Sequence, residues 1–130
     1  MVALGSTTFS FSSLAVTLTL SRGATATTAV NDRNELVAPG DIVGQTRYIL
    51  EKFGKLLSAA GGDFSHVVET TDYITTRENY GGTAAVRREF FRPPYPVATG
   101  VIVAGLLREG ALIEISAVAI LPDPSMKKQS

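Results

Sequence analysis

The sequence predicts a single α+β domain with the element order β-β-α-β-α-β-β, in which two helices cover one face of a mixed sheet. Three observations support this class. Alternating apolar and polar residues occur at both ends of the chain, two segments between them carry apolar residues every three or four positions, and 130 residues suffice for one compact domain but not for two. We therefore expect residues 1–130 to form one domain, with residues 122–130 as a flexible tail.

The first two strands are predicted to form a hairpin. Apolar and polar residues alternate in Thr7–Ser12 and again in Val16–Ser21, and the chain is expected to turn around Ser13–Ala15. The next segment, Gly23–Val37, is small and polar. It predicts a loop with a turn at Asn31–Asn34 and room for a short strand.

The clearest helix follows the sequence Pro39-Gly40-Asp41. Asp41 suits the positive end of the helix dipole, and Gly61-Gly62 suits the position where a helix stops. Between them, apolar and small residues recur at helical spacing and predict a buried stripe. The stripe consists of Ile42, Thr46, Ile49, Phe53, Leu56 and Ala60, widened by Leu50 and Leu57.

The second half of the chain predicts a strand, a helix and a closing hairpin. Val67–Thr76 is rich in β-branched residues and is predicted as a strand. Asn79–Phe91 has helical spacing, and the proline cluster at 93–96 ends it. The remaining strands, Val97–Ala104 and Ala111–Leu121, are expected to pair with each other as a hairpin.

The last strand carries one carboxylate, Glu114, among apolar residues on both of its faces. One face can pack on the helices, and a second copy of the chain is the expected cover for the other. An ionisable group in such a strand has two interpretations. It is either a structural carboxylate that accepts backbone hydrogen bonds or an acid–base group, and the sequence alone favours neither.

Composition and charge exclude several classes of function. Twelve basic residues balance twelve acidic ones, so no overall positive field attracts nucleic acid. The chain has no cysteine and only His66, which excludes thiol nucleophiles and multi-histidine metal centres, so we expect no metal and no cofactor. Serine and threonine interrupt every early apolar run, and no run is long enough to span a bilayer. We therefore expect a cytoplasmic protein without a membrane partner.

A further set of residues occurs in unbroken order between roughly position 14 and position 121. It consists of Gly40-Asp41-Ile42, Gln45-Thr46-Arg47, Leu50-Glu51, Leu57, Ala59-Ala60-Gly61, Val67-Val68, Thr70-Thr71, Tyr73, Phe90-Phe91, Pro96, Leu112-Ile113-Glu114-Ile115 and Ala117-Val118-Ala119. This set resembles the Rid (YjgF-like) family, whose best-known members hydrolyse reactive enamines and imines such as 2-aminoacrylate.

The resemblance implies a chorismate-mutase-like fold and a homotrimer whose sheets line a central barrel, with three clefts between neighbouring subunits. Glu114 matches the last-strand glutamate that, in the family, helps to position or protonate ligand and water. Ser21, Arg22 and Gly23 match residues of the cleft wall. For Arg22 the alternative is a solvated arginine at a strand end.

The chain departs from the family where deaminating members hold the substrate carboxylate. Those members have an arginine two residues after the proline matched by Pro96, whereas this chain has Ala98. Gly100 removes further volume nearby, and the N-terminal Pro-Tyr-Ser-type motif is absent, with Phe9-Ser10 as its nearest counterpart. These changes predict either a widened cleft for a bulkier substrate or a cleft that has lost catalysis.

The sequence therefore predicts a Rid-like enzyme that acts in inter-subunit clefts on a small organic molecule. Its reaction is enamine or imine hydrolysis, or a related proton transfer such as tautomerisation, dehydration or cyclisation. The alternative is a non-catalytic trimer that binds a metabolite or a partner. Arg87-Arg88 is expected to be a solvated helix face, and His66 a surface or capping residue. The predicted catalytic residue is Glu114, and the predicted ligand-binding residues are Ser21, Arg22, Gly23, Tyr80, Phe91, Ala98, Thr99 and Gly100.

Overall fold

A computed structural model describes residues 2–11 and 16–122, and the side chains of residues 22–121. The described residues follow the predicted order of strands and helices. The elements are β1 (Val2–Phe11), β2 (Val16–Thr28), α1 (Ile42–Ala59), β3 (Val67–Ile74), α2 (Thr83–Phe90), β4 (Val97–Ile102) and β5 (Ile113–Pro122). The strands form one sheet in the order β1-β2-β5-β3-β4. The predicted turn around Ser13–Ala15 and the tail at 123–130 lie outside the described residues.

The N-terminal hairpin is confirmed, because β1 pairs with β2 in antiparallel register. The prediction of a loop from Gly23 onward is wrong for residues 23–28, because β2 continues to Thr28. Its partner there is β5, from Gly23 opposite Ala119 to Thr28 opposite Glu114. A neighbouring strand thus overrides the weak strand preference of this small, polar segment.

The turn predicted at Asn31–Asn34 is confirmed. The Asn34 amide donates to the Asn31 carbonyl at 2.9 Å, and Asn34 adopts a left-handed φ of 62°. An isolated antiparallel bridge between Val30 and Leu36 closes this turn. The connection between β2 and α1 is therefore compact.

The prediction that the last two strands pair with each other as a hairpin is wrong. Strand β4 pairs with β3 in parallel, and β5 pairs with β3 and β2 in antiparallel register, so β3 separates β4 from β5. Parallel neighbours need a crossover connection, and α2 supplies it between β3 and β4. The apolar residues on both faces of β5 fit a central strand, and this leaves β4 at the edge of the sheet.

Helix α1 begins and ends where the sequence predicts. Asp41 is the N-cap, and its side chain accepts a hydrogen bond from the Gly44 amide at 2.9 Å. Gly61 follows the helix with a φ of 81°, which favours glycine. The predicted buried stripe is confirmed except at its C-terminal side, where Leu56 is half-buried and Ala60 is exposed.

Helix α2 begins at Thr83 rather than at Asn79. A single 3-10 turn, Tyr80–Gly82, precedes it, and Asn79 adopts a left-handed φ of 59°. Two consecutive glycines lower helix propensity at this point, so a short turn replaces the first turn of the predicted helix.

The hydrophobic core lies between the two helices and one face of the sheet, which we call the helix face. Alternate residues of β5 point into it, as predicted: Ile113, Ile115, Ala117 and Ala119 are buried. The opposite face, which we call the open face, carries Glu114, Ser116, Val118 and Ile120, all half-buried. None of the helices in the described residues is both long and apolar enough to cross a membrane.

Candidate functional site

The sheet divides the predicted site residues between its two faces. Glu114 pairs with Thr28 on one side and Tyr73 on the other, which places it on the open face. Thr99 lies opposite Thr71, also on the open face. Ala98 and Gly100 lie on the helix face, because they alternate with Thr99 along β4. One chain therefore does not present Glu114 and Ala98 to the same side of the sheet.

Glu114 is half-buried, and its carboxylate has no hydrogen bond or ion pair with any of the described residues. The structural alternative, a carboxylate held by backbone N–H groups, finds no donor in that part of the chain. The carboxylate is consequently available on the open face to a ligand, a water or a second copy of the chain.

The predicted cleft-wall residues lie far from Glu114 within one chain. Arg22 is exposed and pairs with Ile120, which is six residues from Glu114 along β5, a separation of about 20 Å in an extended strand. Gly23 is buried and pairs with Ala119 on the helix face. The backbone of Ser21 pairs with Leu121 in the same ladder, and its side chain lies outside those described. A ligand that contacts both Arg22 and Glu114 therefore needs residues from two copies.

A cavity of about 210 Å³ lies on the helix face beside β4, and we call it the β4 pocket. Its volume is below the roughly 300–1,000 Å³ of sites that hold drug-sized ligands, so it suits a metabolite-sized molecule. The pocket includes two of the predicted ligand-binding residues, Phe91 and Ala98. The full lining consists of Thr70, Ala84, Arg87, Arg88, Phe91, Tyr95, Pro96 and Ala98.

A polar cluster lies next to this pocket and centres on Asp72 of β3. The Asp72 side chain is 5% exposed, and its Oδ2 accepts two hydrogen bonds, from the Tyr80 hydroxyl and from Nη2 of Arg87, each at 2.5 Å. Its other oxygen, Oδ1, is buried and has no partner among the described residues. The cluster ties α2 and the turn before it to the sheet.

Tyr80 and Gly100, both predicted to bind ligand, meet at this cluster. Gly100 lies opposite Asp72, and a Cβ added to it would lie 3.4 Å from the Tyr80 hydroxyl. Burial raises the pKa of Tyr80 to about 12, and its hydrogen bond to Asp72 acts in the same direction. Tyr80 is therefore a neutral hydrogen-bond donor at physiological pH.

Asp72 and Arg87 were not among the predicted site residues. Arg87 was expected on a solvated helix face, but its side chain is only 20% exposed because it reaches Asp72. Arg88 is exposed, as expected. The signal for Asp72 in the sequence is an acid within a strand rich in β-branched residues.

His66 has the capping role that the sequence predicts. Its Nδ1 accepts a hydrogen bond from the Asp63 amide at 3.1 Å, and the Asp63 carboxylate accepts one from the Ser65 amide at 2.8 Å. Together these bonds close a capping box around the one-turn 3-10 helix Phe64–His66. His66 is therefore engaged in local structure at the start of β3.

Comparison with known proteins places this chain in a family. The family model described as Endoribonuclease L-PSP matches residues 9–121. The chain is 32% identical over 84 residues to the mouse 2-iminobutanoate/2-iminopropanoate deaminase, and the match covers 65% of this chain. It spans 62% of the length of that mouse protein.

Solved structures agree with the sequence matches. A Rid-family protein of unknown function from Yersinia pestis, YyfA, is 29% identical with a TM-score of 0.68, over 77% of this chain and 79% of that one. Escherichia coli TdcF with bound serine is 26% identical with a TM-score of 0.66, over 78% and 80%. The mixed sheet covered by two helices is thus the fold of these relatives. The chain belongs to the Endoribonuclease L-PSP family, which is the family of the Rid (YjgF-like) proteins.

Proposed function

We propose that the protein is a Rid-type enzyme that hydrolyses small enamines or imines, or catalyses a related proton transfer, in clefts formed between copies of the chain. The observation that carries the proposal is the carboxylate of Glu114, which has no partner among the described residues, in a chain 32% identical over 84 residues to an imine deaminase. Hydrolysis of an imine requires a proton for the nitrogen and a water for the carbon. A carboxyl group serves both steps, because it donates a proton to the nitrogen and its carboxylate accepts a proton from the attacking water.

The division of the site between two faces supports a cleft shared by neighbouring copies. Glu114 occupies the open face of one chain, and the β4 pocket lies on the helix face. The open face and the edge strand also expose apolar side chains, among them Val97 at 70% and Val101 at 40%. A homotrimer that covers this surface would place Glu114 of one copy against the β4 pocket of the next.

The β4 pocket supplies the binding part of the proposed site. Ala98 leaves its β4 wall without a bulky side chain, and Phe91 and Pro96 make its interior largely apolar. Such a pocket takes a substrate with an apolar side chain more readily than 2-aminoacrylate, whose side chain is a single methylene. The proposed substrates are therefore bulkier imino acids.

A turnover assay tests the proposal. The protein is supplied with 2-imino acids generated in situ from branched and aromatic amino acids by an amino-acid oxidase, and formation of the 2-oxo acid is compared with buffer. We expect Glu114→Gln to lower kcat at least 100-fold, since it removes the titratable group and keeps the shape. The matched control is Glu51→Gln, an exposed glutamate on α1 that should retain full activity.

The proposed reaction is wrong if Glu114→Gln converts imines as fast as the unmodified protein. Binding of the corresponding 2-oxo acid without any turnover by the unmodified protein would instead support the alternative, a non-catalytic metabolite-binding trimer.

A further inference from the structure

The positive charge in the β4 pocket comes from helix α2. Arg87 and Arg88 form part of one wall, whereas Ala98 on β4 supplies no charge. The remaining lining is uncharged and mostly apolar, from Phe91 and Pro96 among others. A ligand in this pocket therefore meets apolar surface along most of its length and cationic groups at one side.

Arg87 is held in one orientation and keeps donors free. Its Nη2 donates to Oδ2 of Asp72 at 2.5 Å, and its side chain is 20% exposed. A guanidinium carries five N–H groups, and among the described residues only Nη2 of Arg87 has a partner. The other N–H groups are available to an anion in the pocket that Arg87 lines.

Asp72 can hold the Arg87 side chain in place because its own side chain is held in place. It is buried in β3, and its Oδ2 also accepts the Tyr80 hydroxyl at 2.5 Å. An arginine ordered in the fold does not lose that rotamer freedom again when a ligand binds, which favours affinity. Arg88 is exposed, has no ion-pair partner in the described part of the chain, and adds a second positive charge to the same wall.

We propose that Arg87, positioned by Asp72, binds the carboxylate of a small organic acid whose apolar side chain fills the β4 pocket. This inference rests on the proposed function only in taking the β4 pocket as the ligand site. The carboxylate accepts hydrogen bonds from the free N–H groups of Arg87, and the side chain packs against Phe91, Pro96 and Ala98. Asp72 is a positioning residue, and Arg87 determines specificity for an acid over a neutral molecule.

The test is a comparison of two probes by isothermal titration calorimetry. One probe is 4-methyl-2-oxopentanoate, and the other is its uncharged primary amide, which has the same shape at the apolar end. We expect the unmodified protein to bind the acid at least tenfold more tightly than the amide. Arg87→Met should abolish this preference, whereas the control Arg92→Met, an exposed arginine outside the β4 pocket, should keep it.

A purely structural role for Arg87 would weaken both probes equally, so the ratio of the two affinities separates the roles. If Arg87→Met does not fold because Asp72 is left buried without its partner, the double variant Asp72→Val with Arg87→Met removes both charges and gives the same readout. The proposal is overturned if either variant keeps the preference for the acid, or if the unmodified protein shows none or binds neither probe.

This readout does not depend on turnover. A protein that prefers the acid through Arg87 but converts no imine would refute the proposed reaction and leave the anion site in place. A protein that converts imines and shows no dependence on Arg87 would do the reverse.

Discussion

Asp72 interacts with three neighbouring residues: Tyr80, Arg87 and Gly100. One of its oxygens accepts hydrogen bonds from Tyr80 and Arg87, its position in β3 matches Gly100 in β4, and its other oxygen is buried without a partner among the described residues. A buried acceptor left unpaired typically costs about 1–3 kcal/mol. The unpaired oxygen therefore offsets part of the stability that the hydrogen bonds to Tyr80 and Arg87 supply.

Tyr80 makes this cluster sensitive to alkaline pH. Its pKa is raised from 10.0 to about 12, mainly by burial, so the neutral form is favoured by folding. Its contribution to stability is fully present below pH 10 and is lost as the pH rises from 10 toward 12. We expect the tyrosinate absorbance of the folded protein to show a late step near pH 12 that Tyr80→Phe removes. Tyr95→Phe, at a residue 59% exposed, should leave the step in place, and a late step that survives in Tyr80→Phe would contradict the assignment.

The sequence singles out Glu114 but not Asp72, and the reason for the difference is physical. Glu114 stands out because its strand is apolar on both sides, whereas Asp72 is flanked by Thr71 and Tyr73 and looks like an ordinary half-polar strand. Only the parallel pairing of β3 with β4 and the placement of α2 show that Asp72 is buried. Which face of a strand meets a helix depends on neighbours that are distant in sequence.

At the scale of elements, the edge position of β4 leaves room for the β4 pocket. The strand pairs with β3 alone, and all six of its residues are exposed. The crossover through α2 places Arg87 over the same strands that carry Asp72 and Ala98. The sequence predicted both strands of the supposed closing hairpin correctly as strands. It could not rank a local hairpin against a parallel pair, because the turn residues at 103–112 are compatible with either.

Helix α1 offers a test of the predicted helix start. Asp41 caps it through the 2.9 Å hydrogen bond from the Gly44 amide, and Asp41→Ala removes this acceptor. We expect the free energy of unfolding to fall by about 1 kcal/mol, as for other N-cap removals. Asp41→Asn keeps a capping oxygen and should fall by less. Urea denaturation of the three proteins measures the difference, and equal losses in the two variants would show that the charge, rather than the cap, matters.

At the scale of the whole molecule, the open face of the sheet is the main feature that one chain leaves unexplained. Val118 and Ile120 lie there half-buried beside Glu114, and Val97 and Val101 extend the apolar surface to the edge strand. The sequence predicts a covering subunit from the apolar residues on both faces of β5. It could not show that Glu114 and Ala98 lie on opposite faces, because that depends on the register between strands.

The most direct test of the central proposal, a site shared between copies, is subunit mixing. Glu114→Gln removes the proposed acid–base group, and Ala98→Trp fills the β4 pocket of the chain that carries it, so each variant alone should be inactive toward imines. Random mixed trimers should regain about a quarter of the unmodified activity, since a heterologous interface pairs an intact Glu114 with an intact pocket in that fraction of clefts. The native mass of each preparation should be three times the 13.8 kDa chain mass. Mixed trimers as inactive as their parents would contradict the shared site.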